Sequence, residues 1–216
     1  MWVRSLFSIY DIDDLVHLDM PWWCLSAIDA VDTFLASRPQ ARAFEYGSGA
    51  SSVWLARRTV GVTSVEHDEP WHRLVADKLA GFPNATLVHV PPDPTPHRDR
   101  ARYGSQKAGW RNRTFHDYVH AIDTVDGPFD IIVVDGRCRP ACLEAALPHL
   151  LPDGIVVFDN SGRSRYRQAI KQTLLPHREF RGITACLPYP DSTTLIARDP
   201  ETLCKAMTKP PNSGTT

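Results

Sequence analysis

Ala43-Phe44-Glu45-Tyr46-Gly47-Ser48-Gly49-Ala50-Ser51 holds three structural instructions in one stretch. Residues 43–46 read as a short strand. Gly47-Ser48-Gly49 ends it, because residues without a Cβ let the backbone turn tightly and approach a ligand closely. From about Ser51 to Arg58 the chain reads as a helix, whose free N–H groups and dipole favour an anion. A tight turn with Ser51 or Ser52 as helix cap would look the same. The feature that adds a ligand is Glu66, nineteen residues after Gly47 at the end of the next strand-like stretch, where a carboxylate can accept hydrogen bonds from both ribose hydroxyls. That geometry serves NAD and S-adenosylmethionine (SAM) alike, but two details separate them. A dinucleotide fingerprint wants a third glycine, or an alanine, where Ser52 stands, and Glu45 would repel a pyrophosphate while attracting an ammonium group.

Working outward, strand-like and helix-like stretches alternate. An amphipathic helix over 22–36 precedes the turn, with apolar residues at three- and four-residue spacings. Val62–Glu66, Ala85–Val90, Phe129–Asp135 and Ile155–Phe158 read as strands, and Ile131-Ile132-Val133-Val134 suits one covered on both faces. Helices are expected over 69–79, 114–122, 140–150 and 163–175. Strands over 180–186 and 193–197 form an antiparallel hairpin across Pro188-Tyr189-Pro190-Asp191. The pattern predicts an α/β fold with a doubly wound, mostly parallel sheet of seven strands and a C-terminal antiparallel hairpin. Residues 1–38 are expected to form a helical cap on the same domain, 39–200 the nucleoside-binding domain, and 205–216 a disordered tail. Ligands of such sheets bind beyond the strand ends.

Those strand ends carry a resemblance. Glu45-Tyr46-Gly47-Ser48-Gly49-Ala50-Ser51, Val65-Glu66-His67-Asp68, Phe129 to Gly136 and Leu151 to Asn160 resemble, in order, the first, second, fourth and fifth-strand motifs of class I SAM-dependent methyltransferases. The likeness covers roughly residues 22–198. It implies SAM as cofactor, with Glu45, Gly47, Ser48, Gly49 and Ser51 on its methionyl side, Glu66 and His67 around its ribose, and Asp135 beside both donor and acceptor as the catalytic residue. No motif aligns with the segment after Val90, so the adenine pocket has no residues assigned to it.

Asp135, Asp159 and Asn160 close two adjacent strands and are hard oxygen ligands suited to Mg2+. The pattern is similar to that of the metal-dependent catechol and caffeoyl-CoA O-methyltransferases, with one departure. Those enzymes carry a lysine three residues after the first aspartate, whereas this chain has Cys138 there, between Arg137 and Arg139. The competing reading is that Asp135 orients substrate or the donor's amine while Asp159 and Asn160 cap a turn.

The 24 Lys+Arg against 25 Asp+Glu exclude a globally basic nucleic-acid binder. The charge is nevertheless uneven: six Lys/Arg against one acid lie in 97–113, and six against one acid in 160–181. Both segments follow strands at the ligand-binding edge, so an acceptor bearing phosphate or carboxylate is expected there. Five cysteines without paired CxxC spacing point to a reducing, cytoplasmic setting, and no apolar run is long enough to span a membrane. The expectation is methyl transfer from SAM to a small anionic acceptor, at oxygen. An RNA methyltransferase, a non-catalytic nucleoside- or partner-binding domain and an NAD oxidoreductase are the rivals.

Overall fold

The computed structural model describes residues 12–185 and 188–208. Seven strands, β1 (Arg42–Tyr46), β2 (Gly61–Glu66), β3 (Ala85–His89), β4 (Phe129–Val134), β5 (Leu150–Asp159), β6 (His177–Gly182) and β7 (Asp191–Ala197), form one sheet in the order β3-β2-β1-β4-β5-β7-β6. β1 to β5 run parallel, and β7 runs antiparallel to both neighbours. The expected doubly wound sheet with a terminal antiparallel hairpin is therefore present.

Alternation of side chains across the pleat builds two cores. Ile131, Val133, Ile155 and Val157 face α1 (Ile12–Leu18), α2 (Leu25–Ala36) and α3 (Ala50–Ala56), around the edge-on ring pair Trp23–Trp54. Phe44, Tyr46, Ile132, Val134 and Phe158 face the other way, toward Tyr118 and Ile122. α4 (Glu69–Leu79) follows β2 as expected, with Asp68 capping the Trp71 N–H.

Several boundaries differ from the sequence reading. The first expected helix begins at Leu25, because Cys24 is held extended by a bridge to Thr184 and donates its N–H to Thr193 Oγ1. The stretch 114–122 divides into α6 (His116–Val119) and a 3-10 turn over 120–124; a four-residue α5 (Arg100–Tyr103) precedes it. β5 starts at Leu150, across a register shift against β4. α7 (Arg139–Ala146) and α8 (Ser164–Gln172) are each shorter than expected. β6 lies earlier than expected, since it is an exposed edge strand whose charged residues show no apolar alternation. The tail expected from residue 205 is corrected as well. Asp199 accepts the Thr202 N–H, Pro200 opens α9 (Pro200–Met207), and Leu203 and Ala206 are buried. Residues 209–216 and the first eleven residues of the expected cap lie outside the described residues. Among the described residues, no helix is long and apolar enough to cross a membrane.

Candidate active site

The ends of β1, β2 and β4 are tied together by backbone. Gly47 N–H donates to Val65 O and Asp135 N–H to Tyr46 O, each at 2.9 Å. Gly47 has φ +89°, and a Cβ on it would lie 2.8 Å from Gly136 Cα. Both the turn and the close approach therefore require glycine. A Cβ on Gly136 would sit 1.9 Å from the Tyr118 hydroxyl, so that glycine is also fixed by its neighbours. Gly49 differs: its backbone is extended, and a Cβ would meet only Trp71 and Ser51, at 3.9 and 4.0 Å. Its missing side chain leaves room for a ligand. The Trp71 indole braces the turn by donating to Ser48 O at 2.7 Å.

Two buried carboxylates hold this turn from below. Glu45 is fully buried and accepts hydrogen bonds from the hydroxyls of Ser51 (2.5 Å), Ser52 (2.5 Å) and Ser64 (2.6 Å). Burial pushes its carboxyl up to about 7 against the pull of the three serines, with Asp135 adding to the rise. Glu45 shares its strand face with Ala43, under α3, and does not line the cleft; its expected place against the methionyl group is corrected to a support beneath the turn. Glu66 is at the cleft, as expected. Its Oε1 accepts the N–H groups of His67 (2.7 Å) and Asp68 (2.9 Å), and its Oε2 accepts Ser48 N–H (3.1 Å) and Ser48 Oγ (3.3 Å). Burial raises this carboxyl, but His67 and the surrounding N–H groups outweigh it and hold the group below its ordinary value. His67 Nδ1 lies 2.7 Å from Glu66 Oε1 without hydrogen-bond geometry. Its Nε2 accepts from Arg137 Nε at 2.9 Å, and Trp110 and Phe115 pack edge-on against its ring.

At the ends of β4 and β5, two of the three expected metal ligands, Asp135 and Asp159, hold an arginine. Arg139, nearly buried, donates through Nη2 to Asp135 Oδ1 (2.6 Å) and Asp135 O (3.0 Å), through Nη1 to Asp159 O (2.5 Å) and through Nε to Gly136 O (3.2 Å). Asp159 Oδ2 lies 3.8 Å from Nη1, and its Oδ1 accepts the Thr193 hydroxyl at 2.7 Å. Asn160, in the left-handed region at φ +49°, turns its amide to Asp191 at 2.8 Å. A divalent ion among these groups would sit against a guanidinium, at a cost of about 4 kcal/mol per unit charge at 4 Å in a surface-like dielectric. The donor set does not fit Mg2+, and among the described residues no cluster of three or more His, Cys, Asp or Glu is placed to hold a metal. Burial and the neighbouring Asp135 push Asp159 up to about 8, against Arg139. Asp135 is also raised by burial, with Arg139 and Arg163 pulling it back.

The basic segment after β3 folds back onto the site. Asp93 accepts the Thr114 hydroxyl (2.5 Å) and the N–H groups of His116 (3.0 Å) and Asp117 (3.1 Å), while Gly104 bridges to Thr114. This closure brings Lys107 and Trp110 to the cleft, opposite Arg163 and Arg165 from the start of α8. The cleft, of roughly 1470 Å³, runs from Gly47, Ser48, Gly49, Ser51 and Glu66 past Asp135 to these cations and to Trp22. Spacing alone did not single out Arg139, Trp71 or Tyr118. Arg139 stood beside the departure at Cys138, and Trp71 one turn into the helix after Glu66, which are the signals that could have found them.

Strand order, the glycine turn on β1 and the acidic end of β2 define a class: an α/β protein holding a nucleoside over the parallel strand ends. A family model described as a methyltransferase domain matches residues 44–161, and the chain belongs to this family of SAM-dependent methyltransferases. Among solved structures, it is similar to cofactor-bound Rv0187 from MTB (18% identity, 91% of this chain and 90% of that one, TM-score 0.58). It is also similar to a methyltransferase-like protein of Silicibacter pomeroyi (26% identity, 89% and 100%, TM-score 0.52). A Streptococcus mutans methyltransferase candidate in complex with SAH shares the fold at 12% identity (78% and 96%, TM-score 0.53). No curated protein matches.

Proposed function

We propose that the enzyme methylates a hydroxyl oxygen of a small acceptor that carries a phosphate or carboxylate. The observation that carries this reading is the set of four cations lining the cleft beyond the glycine turn, Lys107, Arg137, Arg163 and Arg165, none with a carboxylate partner in ion-pair range among the described residues. By contrast Arg102 and Arg139, also in the cleft, are matched by Glu144 and Asp135. Cations lining a cleft without carboxylate partners concentrate anionic ligands and orient them by charge-assisted hydrogen bonds.

SAM supplies an activated methyl on a sulfonium sulfur. Glu66, by exchanging the long 3.3 Å bond to Ser48 Oγ, would accept the ribose hydroxyls. Gly49 gives the donor room, and Gly47 and Ser48 present backbone to it. Asp135 has one oxygen held by Arg139, and its other oxygen has no hydrogen-bond partner among the described residues. It would accept the acceptor's hydroxyl proton as the oxygen–carbon bond forms and the carbon–sulfur bond breaks. Most of the acceleration comes from holding oxygen, methyl and sulfur in line. The odd set of five cysteines places this activity in the cytoplasm in our reading.

The test is turnover with methyl-labelled SAM against paired acceptors, each hydroxy-carboxylate or phosphate beside its uncharged ester. The expected result is label on oxygen in the charged members only. Equal turnover of the neutral partners, or label on nitrogen, overturns the reading.

A further inference from the structure

We infer that Arg139 is the resident cation of this site, holding the place that a divalent metal would otherwise take, and that the side chain itself keeps metal out. Three observations converge. First, its guanidinium lies between the ends of β4 and β5, with donor distances of 2.6 Å to Asp135 Oδ1 and 2.5 Å to Asp159 O. Second, it arrives from the first position of α7, after Cys138 adopts a left-handed backbone at φ +47°; this turn folds the helix start back over the strand it has just left. Third, the other two groups keep an oxygen each that a cation could use: Thr193 donates to Oδ1 of Asp159 and leaves Oδ2 at 3.8 Å from Arg139 Nη1, while Asn160 donates its Nδ2 to Asp191 and leaves its Oδ1 without a hydrogen-bond partner among the described residues. Tyr166 completes the enclosure, its ring centroid 5.6 Å from the guanidinium carbon.

Arg139 is thus a positioning residue. It turns Asp135 so that one oxygen is left for the cleft, and it ties β4 to β5 where the acceptor must sit. The chemistry of the ligands is that of a hard-cation site, two carboxylates and an amide. Removing the guanidinium while leaving those groups in place should therefore create an affinity for a divalent ion that the native chain lacks. The inference stands on these side chains alone and is independent of the acceptor proposed above, since it is read without turnover.

The experiment is a Mn2+ titration of the full chain followed by electron paramagnetic resonance, on wild type, Arg139→Gln, Arg139→Lys and the double variant Arg139→Gln/Asp135→Asn. Circular dichroism and the thermal melting curve serve as the check of folding. Wild type and Arg139→Lys are expected to show no saturable Mn2+ binding, Arg139→Gln to acquire one site, and the double variant to lose it. Saturable Mn2+ binding to wild type would overturn the inference, and so would a folded Arg139→Gln that takes up no Mn2+. Should Arg139→Gln not fold, Arg139→Met replaces it and is read by the same two outcomes.

Discussion

The two ends of the cleft are built on opposite plans. At the donor end, polar groups are satisfied within the protein. Glu45 is saturated by three serines, Glu66 by Ser48 and by the N–H groups that follow it, and Gly47 is locked against Gly136. At the acceptor end, Lys107, Arg163 and Arg165 extend from a loop and a helix start with no carboxylate partners in ion-pair range among the described residues. The difference teaches that the donor pocket is preorganised by backbone and buried charge, whereas the acceptor end leaves its positive charges without carboxylates, Arg165 donating instead to the Tyr166 hydroxyl at 2.9 Å. Preorganisation lowers the cost of binding, and cations without carboxylate partners supply selectivity among anions.

Damage to the donor end should cost most where backbone is involved. Gly47→Ala combines a φ of +89° with a Cβ 2.8 Å from Gly136 Cα. It is expected to destabilise the fold by about 3 kcal/mol from strain and overpacking together. A urea midpoint within error of wild type would break the picture of a locked turn.

A second effect of similar size comes from Glu45, whose carboxyl is raised from 4.5 to about 7 in the fold. Because the folded state holds the proton more tightly, the stability contributed by the neutral form is complete below pH 4.5 and is lost as pH rises to about 7. The loss amounts to on the order of 3 kcal/mol. Glu45→Gln cannot ionise, so unfolding free energies measured across this window should fall less steeply than in wild type. Parallel curves would show that the three serines keep Glu45 ionised throughout.

At the ribose position the effect should appear in binding rather than in the fold. Glu66→Ala removes a charged acceptor and is expected to weaken S-adenosylhomocysteine by about 2 kcal/mol, or roughly thirtyfold. An unchanged dissociation constant by calorimetry would remove Glu66 from the donor site. The smallest effect sharpens the contrast from the other end. Arg165→Gln should raise KM for an anionic acceptor several-fold, about 1 kcal/mol, while leaving S-adenosylhomocysteine affinity unchanged. A loss of donor affinity instead would merge the two ends into one site.

What could be read from sequence follows the same division. Ile131 to Val134, the glycine turn and the acid ending β2 are local signals, and they lie where pattern placed them. The strand expected over 180–186 is present but begins at His177, because an exposed edge strand containing His177, Arg178, Glu179 and Arg181 has no buried face to impose alternation and mark its start. α9 escaped because its apolar residues are few and its start rests on a cap, Asp199. Glu45 shows the limit within the site. Its spacing placed it next to the turn, but the pleat sends its side chain to the face of Ala43, where Ser51, Ser52 and Ser64 meet it. The role of Arg139 depended on one left-handed residue, Cys138, which no pattern of apolar spacing reveals.

The closure of the basic segment has a consequence for how such an enzyme can diversify. Asp93 and Thr114 fasten the two ends of residues 94–113 to each other and to the start of α6. Tyr103, buried in the second core, and Trp110, packed against His67, hold the segment to the sheet and the donor pocket. Its exposed cations can be exchanged on that fixed base, and the specificity of the enzyme rewritten, while the sheet and the SAM pocket are inherited intact.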